Sequence, residues 1–124
     1  MTYNDAVNDL VRRYCNGEFP GWVLTDDYDA QMRRILPDGR FEFIAFDNLV
    51  IFHNIIDLND YSDGELWFYG SMYYDTMEEF EAQGAEIMAE CIFEQTPATT
   101  INIAEGNVEA LYDEYVAFVK EEHA

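Results

Sequence analysis

Apolar residues near the start of the chain recur at helical spacing: Ala6, Val7, Leu10, Val11 and Tyr14 share one face. Thr2 followed three residues later by Asp5 has the form of a capping box, and Asn16-Gly17 supplies a stop, so the pattern predicts a helix over 3–15. Trp22-Val23-Leu24 reads as a short strand. After it, Asp26 or Asp27 is placed to cap a small helix that turns Met32, Ile35 and Leu36 inward and stops before Pro37-Asp38-Gly39.

The period changes in the middle of the chain. Residues 40–47 are rich in Phe and Ile, residues 49–57 are β-branched and aromatic, and in 65–74 Leu66, Phe68 and Met72 alternate with Trp67, Tyr69 and Tyr73. Three antiparallel strands are expected, with Asp47-Asn48 as the tight turn of the first hairpin and 58–64 as the longer loop of the second. Thr76 and Glu79 form another T-x-x-E box, and Met77, Phe80, Gly84, Ile87, Met88, Cys91 and Ile92 continue one helical stripe to 94. Gln95-Thr96-Pro97 ends it. A loop or short extended piece then leads to a last helix opened by Asn102 and Glu105, with Val108, Leu111, Tyr112, Tyr115, Phe118 and Val119 on one face. The expected fold is α+β, a single domain over 1–124. Its three-stranded or four-stranded antiparallel sheet covers about residues 40–74 and packs against an N-terminal and two C-terminal helices.

Composition supports a folded chain, since 49% hydrophobic and 16% aromatic residues separate it from acidic disordered tails. Charge is the unusual quantity. The net charge is −20, and from Phe41 to Val119 there are seventeen Asp and Glu and not one Lys or Arg. Five of the six basic residues, Arg12, Arg13, Arg33, Arg34 and Arg40, lie in the first third. Surface scaling predicts roughly 6,900 Å² for a chain of this mass, hence about one net charge per 340 Å². Duplex DNA, as a cylinder of about 10 Å radius, carries about one per 107 Å². The average is threefold too dilute, so only a concentrated acidic face would imitate a nucleic acid.

Candidate chemistry is sparse. The segment from Asp57 to Glu65 superficially resembles a calcium loop, but with Gly64 at the sixth position Gly70 would stand where a bidentate Glu is required. His53, in a predicted strand, and His123 have no partner at metal-binding spacing. Cys15 and Cys91 lack Cys-x-x-Cys spacing and read as small buried apolar groups in a reducing compartment. Neither G-x-S-x-G nor a phosphate-binding glycine motif occurs, and the negative charge repels phosphate, so direct nucleic-acid binding is disfavoured. No cofactor or metal is expected and the chain reads as a non-enzyme. Arg12-Arg13 and Arg33-Arg34 are expected to answer nearby acids and to favour helix C-termini. The N-terminus has no basic-then-apolar leader pattern, and Leu49-Val50-Ile51-Phe52 is too short to span a bilayer. A cytoplasmic location is expected, with no membrane partner.

The acids themselves are the candidate site. Glu86, Glu90 and Glu94 repeat every four residues along one helix edge, with Glu79 preceding them, and Asp57, Asp60, Asp63 and Glu65 cluster in the predicted loop beside Tyr61. Glu105, Glu109, Asp113 and Glu114 add further charge in the last helix. Alternation over 65–74 would leave an aromatic strip on the open sheet face, covered by the N-terminal segment, used in homodimerisation, or used on a partner.

As a class, the chain resembles the small acidic inhibitors of phages and mobile elements, the anti-CRISPR and anti-restriction proteins that imitate DNA. The resemblance rests on size, charge and the distribution of acids over 41–119. It implies stoichiometric inhibition of a basic nucleic-acid-binding protein or nuclease in the host cytoplasm, with carboxylates standing in for phosphates. Asp57, Asp60, Tyr61, Asp63, Glu65, Glu79, Glu86, Glu90 and Glu94 would form the contact. An immunity protein that plugs a cognate nuclease toxin is the alternative, and an acidic metal-binding enzyme and a halophilic domain are two further readings.

Overall fold

The computed structural model describes residues 1–25, 30–47, 50–103 and 107–121. The chain runs α1 (Tyr3–Cys15), β1 (Val23–Thr25), β2 (Ala30–Ile35), β3 (Phe41–Asp47) and β4 (Val50–Ile56). A single 3-10 turn (Leu58–Asp60) follows, then α2 (Asp63–Gly70), α3 (Met77–Ala82), α4 (Ala85–Gln95), β5 (Thr99–Ile103) and α5 (Val108–Lys120). The five strands form one sheet in the order β1-β2-β3-β4-β5. The α+β class holds, but the expected three-stranded or four-stranded sheet over about 40–74 is corrected to five antiparallel strands drawn from 23–103.

Three local readings change with it. The small helix expected to carry Met32, Ile35 and Leu36 is strand β2, and Ile35 is exposed. Pro37-Asp38-Gly39 is a hairpin turn rather than a helix stop. The Leu36 N–H donates to Arg40 O at 2.8 Å, the Gly39 N–H to Leu36 O at 2.9 Å, and Gly39 takes φ +89°, which its missing Cβ permits. The expected strand over 65–74 is instead helix α2, capped at Ser62. The expected helix over 76–94 is two helices, parted at Gln83-Gly84, where Gly84 has φ +100°.

Other expectations stand. α1 has the expected bounds, and Thr2 and Asp5 make a reciprocal capping box. The loop or extended piece before the last helix is β5, which pairs antiparallel with β4 (Val50 with Ile103, His53 with Thr99) through an irregularity between Ile51 and Phe52. Asn102, expected to open the last helix, instead lies in that strand, and Asn107 caps α5 by accepting the Ala110 N–H at 3.1 Å. Asn48 and Glu105 fall outside the described residues.

The contacts divide the chain into two compact units. The first comprises Met1–Arg34, Phe43–His53 and Thr99–Ala124, and the second Ile35–Glu42 and Asn54–Ala98. In the first unit α1 and α5 pack on the sheet through Ala6, Leu10, Ile44, Phe46, Leu111, Tyr112, Tyr115 and Val119. Phe46 is the centre of this core, its ring 5.1 Å from Tyr3, 5.2 Å from Tyr115 and 6.0 Å from Tyr112. Buried hydroxyls need partners, and these have them: Tyr115 donates to Ile44 O at 2.8 Å, and Tyr3 donates to Phe46 O. In the second unit Phe80, Ala89, Cys91, Ile92 and Phe93 are buried where α2, α3 and α4 meet. Gly70 is required there, because a Cβ would lie 2.5 Å from the Phe80 ring.

Candidate acidic binding surface

The second unit contains thirteen Asp and Glu and one basic residue, Arg40. Arg40 is already committed, its Nε donating to Asp38 at 2.6 Å. All nine residues nominated from the sequence fall in this unit. Helix α4, which carries Glu86, Glu90 and Glu94, is in contact with the 3-10 turn, α2 and α3. Glu109, Asp113 and Glu114 belong to the first unit, and Glu42 is fully buried in β3, so these four acids of the long base-free stretch are not part of the surface.

Several of the nominated acids also build the backbone that displays them. Asp57 accepts the Asn59 N–H at 3.0 Å and opens the 3-10 turn, whose last residue is Asp60. Ser62 accepts the Glu65 N–H while Glu65 accepts the Ser62 N–H, both at 3.2 Å, a reciprocal box that starts α2. Asp63 and Glu65 thus sit in a first helical turn, where the exposed N–H groups favour negative charge. Thr76 likewise accepts the Glu79 N–H at 3.2 Å to open α3. Local structure therefore absorbs part of the charge, while Asp60, Asp63, Glu65, Glu79 and Glu94 remain exposed and Asp57, Glu86 and Glu90 are half-buried.

Tyrosines tie the elements together. Tyr61 packs edge-on to Tyr69 at 5.9 Å, and its phenol is pushed above the ordinary range by desolvation, with Tyr69, Asp60 and Glu65 adding to the effect. Gln95 of α4 donates to Tyr69 O at 2.8 Å. Desolvation, with the Glu94 carboxylate adding to it, pushes the Tyr73 phenol up to about 12. At pH 7 these tyrosines are neutral donors beside carboxylates.

The aromatic strip differs from the one that strand alternation predicts. In α2 four successive apolar residues, Leu66 to Tyr69, are spread round a helix instead of sorting onto two faces, so Phe68 and Met72 point outward while Leu66, Trp67 and Tyr69 are half-buried. The sequence did hold the signal: Ser62-Asp63-Gly64-Glu65 is the same box form that opens α1, here lying inside an expected loop.

The cysteines are also unlike one another. Cys91 is buried and its thiol is pushed up to about 11, chiefly by desolvation, whereas Cys15 is exposed at the end of α1 and departs from the buried reading. His53 stands in β4 with its ring edge-on to Phe118 at 5.1 Å. Among the described residues no group of three or more His, Cys, Asp or Glu is placed to hold a metal ion. No described helix is long and apolar enough to cross a membrane. In the first unit a cleft of about 290 Å³ is lined by Glu18, Phe19, Trp22, Arg34, Lys120 and neighbours. Arg34 lies over Trp22 at 4.3 Å and Lys120 over Phe19 at 5.5 Å, so the chain's own cations occupy those ring faces.

Comparison with protein-family models, with curated proteins and with solved structures finds no match.

Proposed function

We propose that the protein is a non-enzymatic, stoichiometric inhibitor that binds a basic nucleic-acid-binding protein through the acidic surface of its second unit. The observation that carries this reading is the gathering, besides buried Glu42, of twelve acids with a single, already paired arginine in one compact unit. Acids outnumber the unit's own cations thirteen to one, so a Lys- and Arg-lined groove gains by covering the exposed ones and loses the phosphates it would otherwise hold. Charge of one sign also speeds encounter with such a partner.

The test is capture from host lysate on the immobilised protein at about 50 and about 200 mM salt, since ionic screening shortens the reach of exposed charges. A basic, nucleic-acid-associated protein recovered at low salt and lost at high salt is the expected result, with recovery reduced by combined Glu86→Gln, Glu90→Gln and Glu94→Gln. Recovery of no such protein at either salt, or binding indifferent to both salt and substitution, would defeat the reading.

A further inference from the structure

Phe68, Met72 and Tyr73 are 60%, 62% and 51% exposed, on the last turn of α2 and the turn that follows it. One exposed apolar side chain needs no explanation, but an adjacent set of large ones, rimmed by charge, marks an interaction surface. Residues 68 and 72 stand at i, i+4 spacing, and the turn between them is held by the Ser71 hydroxyl donating to Phe68 O at 2.9 Å. The strip continues from Phe68 to Tyr69 at 5.4 Å and from Tyr69 to Tyr61.

Both ends of the strip meet carboxylates. Asp60 adjoins Tyr61 in the chain and exposed Glu65 stands in the first turn of α2 at one end, and the exposed carboxylate of Glu94 bears on the Tyr73 phenol at the other. A central aromatic and Met cluster inside a charged rim is the anatomy of a protein interface, and DNA phosphates have no counterpart of Phe68 or Met72.

We infer that this strip docks a basic amphipathic segment of a partner protein, an apolar stripe flanked by Lys or Arg residues. The inference rests on the reading of the acidic surface given above and adds what phosphate imitation alone does not require. Charge complementarity selects the occupant. Nucleic acid and anionic lipid would face acids of their own sign, and a second copy would set thirteen acids and one arginine against the same number.

The experiment titrates the full chain with two fluorescent peptides of equal lysine content, one an amphipathic Leu/Lys helix and the other with Ser in place of each Leu. Binding is read by anisotropy at low and high salt for the wild type and for the double substitution Phe68→Ala and Met72→Ala. Wild type should hold the Leu/Lys peptide at least about tenfold more tightly, as burial of even two leucines allows, and the variant should lose that preference while keeping its affinity for the Ser/Lys peptide. Equal wild-type affinities, or a preference retained by the variant, overturn the strip. Failure of the Ser/Lys peptide to bind in a salt-dependent way defeats the acidic-surface reading instead, because that peptide tests charge alone. Sedimentation at high salt supplies the remaining outcome: a dimer that the double substitution dissolves makes a second copy the occupant and overturns the inference.

Discussion

The two units carry the same number of acids, thirteen each, yet use them in opposite ways. In the first unit Asp9 and Glu18 are answered from within. Asp9 pairs with Arg12 and accepts the Tyr112 hydroxyl at 2.7 Å, Arg13 donates to Glu18 at 3.2 Å, and Glu18 is 3.5 Å from Lys120. In the second unit the one arginine is taken by Asp38, and the acids cap helices or face outward beside exposed apolar side chains. A net charge of −20 therefore describes neither region well. Acids beside cations of their own unit serve the fold, and exposed acids that outnumber those cations are available to a partner.

Breaking the first unit at its centre should have the largest effect. Phe46→Ala removes the ring on which three tyrosines pack and is expected to cost about 3–5 kcal/mol, measured by urea unfolding. Gly70→Ala is the matching break in the second unit. Its Cβ meets buried Phe80, so overpacking should cost about 1–3 kcal/mol in the same assay. Tyr112→Phe tests whether paired charge serves the fold, because it deletes the hydroxyl that Asp9 accepts, for a loss of about 1–2 kcal/mol.

The pH dependence of that contact has a definite sign. The Tyr112 and Arg12 hydrogen bonds hold the Asp9 carboxyl below its ordinary 3.8, so its contribution is complete above that pH and is lost as acid protonates it. Burial and the bond to Asp9 push Tyr112 up to about 12 from 10, so its contribution is complete below pH 10 and fades as pH rises toward 12. Tyr112→Phe should flatten the alkaline limb of the stability profile. Ser62→Ala removes the cap of α2 and should cost about 1 kcal/mol. The smallest effect sharpens the comparison most. Glu90→Gln at low salt should relieve like charge on both Glu86 and Glu94 by a few tenths of a kcal/mol each, and added salt should erase the gain.

How much of this was legible in the sequence depended on whether local signals agreed. In α1 the Thr2–Asp5 box and the apolar stripe point the same way, and the bounds follow. In 62–70 they conflict: the Ser62–Glu65 box signals a helix start while consecutive aromatics favour a strand, and packing against α3 and α4 decides for the helix. Met32, Ile35 and Leu36 mimic a helical stripe by spacing alone, whereas the Pro-Asp-Gly turn commits 30–40 to a hairpin. The acidic site was readable in part, because charge runs survive any assignment of helix or strand. The exposure of Phe68 and Met72 was not, since which side chains face water depends on whether the period is 2 or 3.6.

The return of β5 and α5 to the first unit has a consequence for biosynthesis. Residues 54–98 separate the strands and α1 from the segment that supplies Leu111, Tyr112, Tyr115 and Val119 to their core. On the ribosome, the early strands and the apolar stripe of α1 emerge well before α5 can cover them, so the first unit closes only after residues 54–98 have been made. The stretch made during that wait is the most acidic in the chain, and its mutual repulsion would keep the nascent, half-covered sheet from joining its neighbours on a polysome.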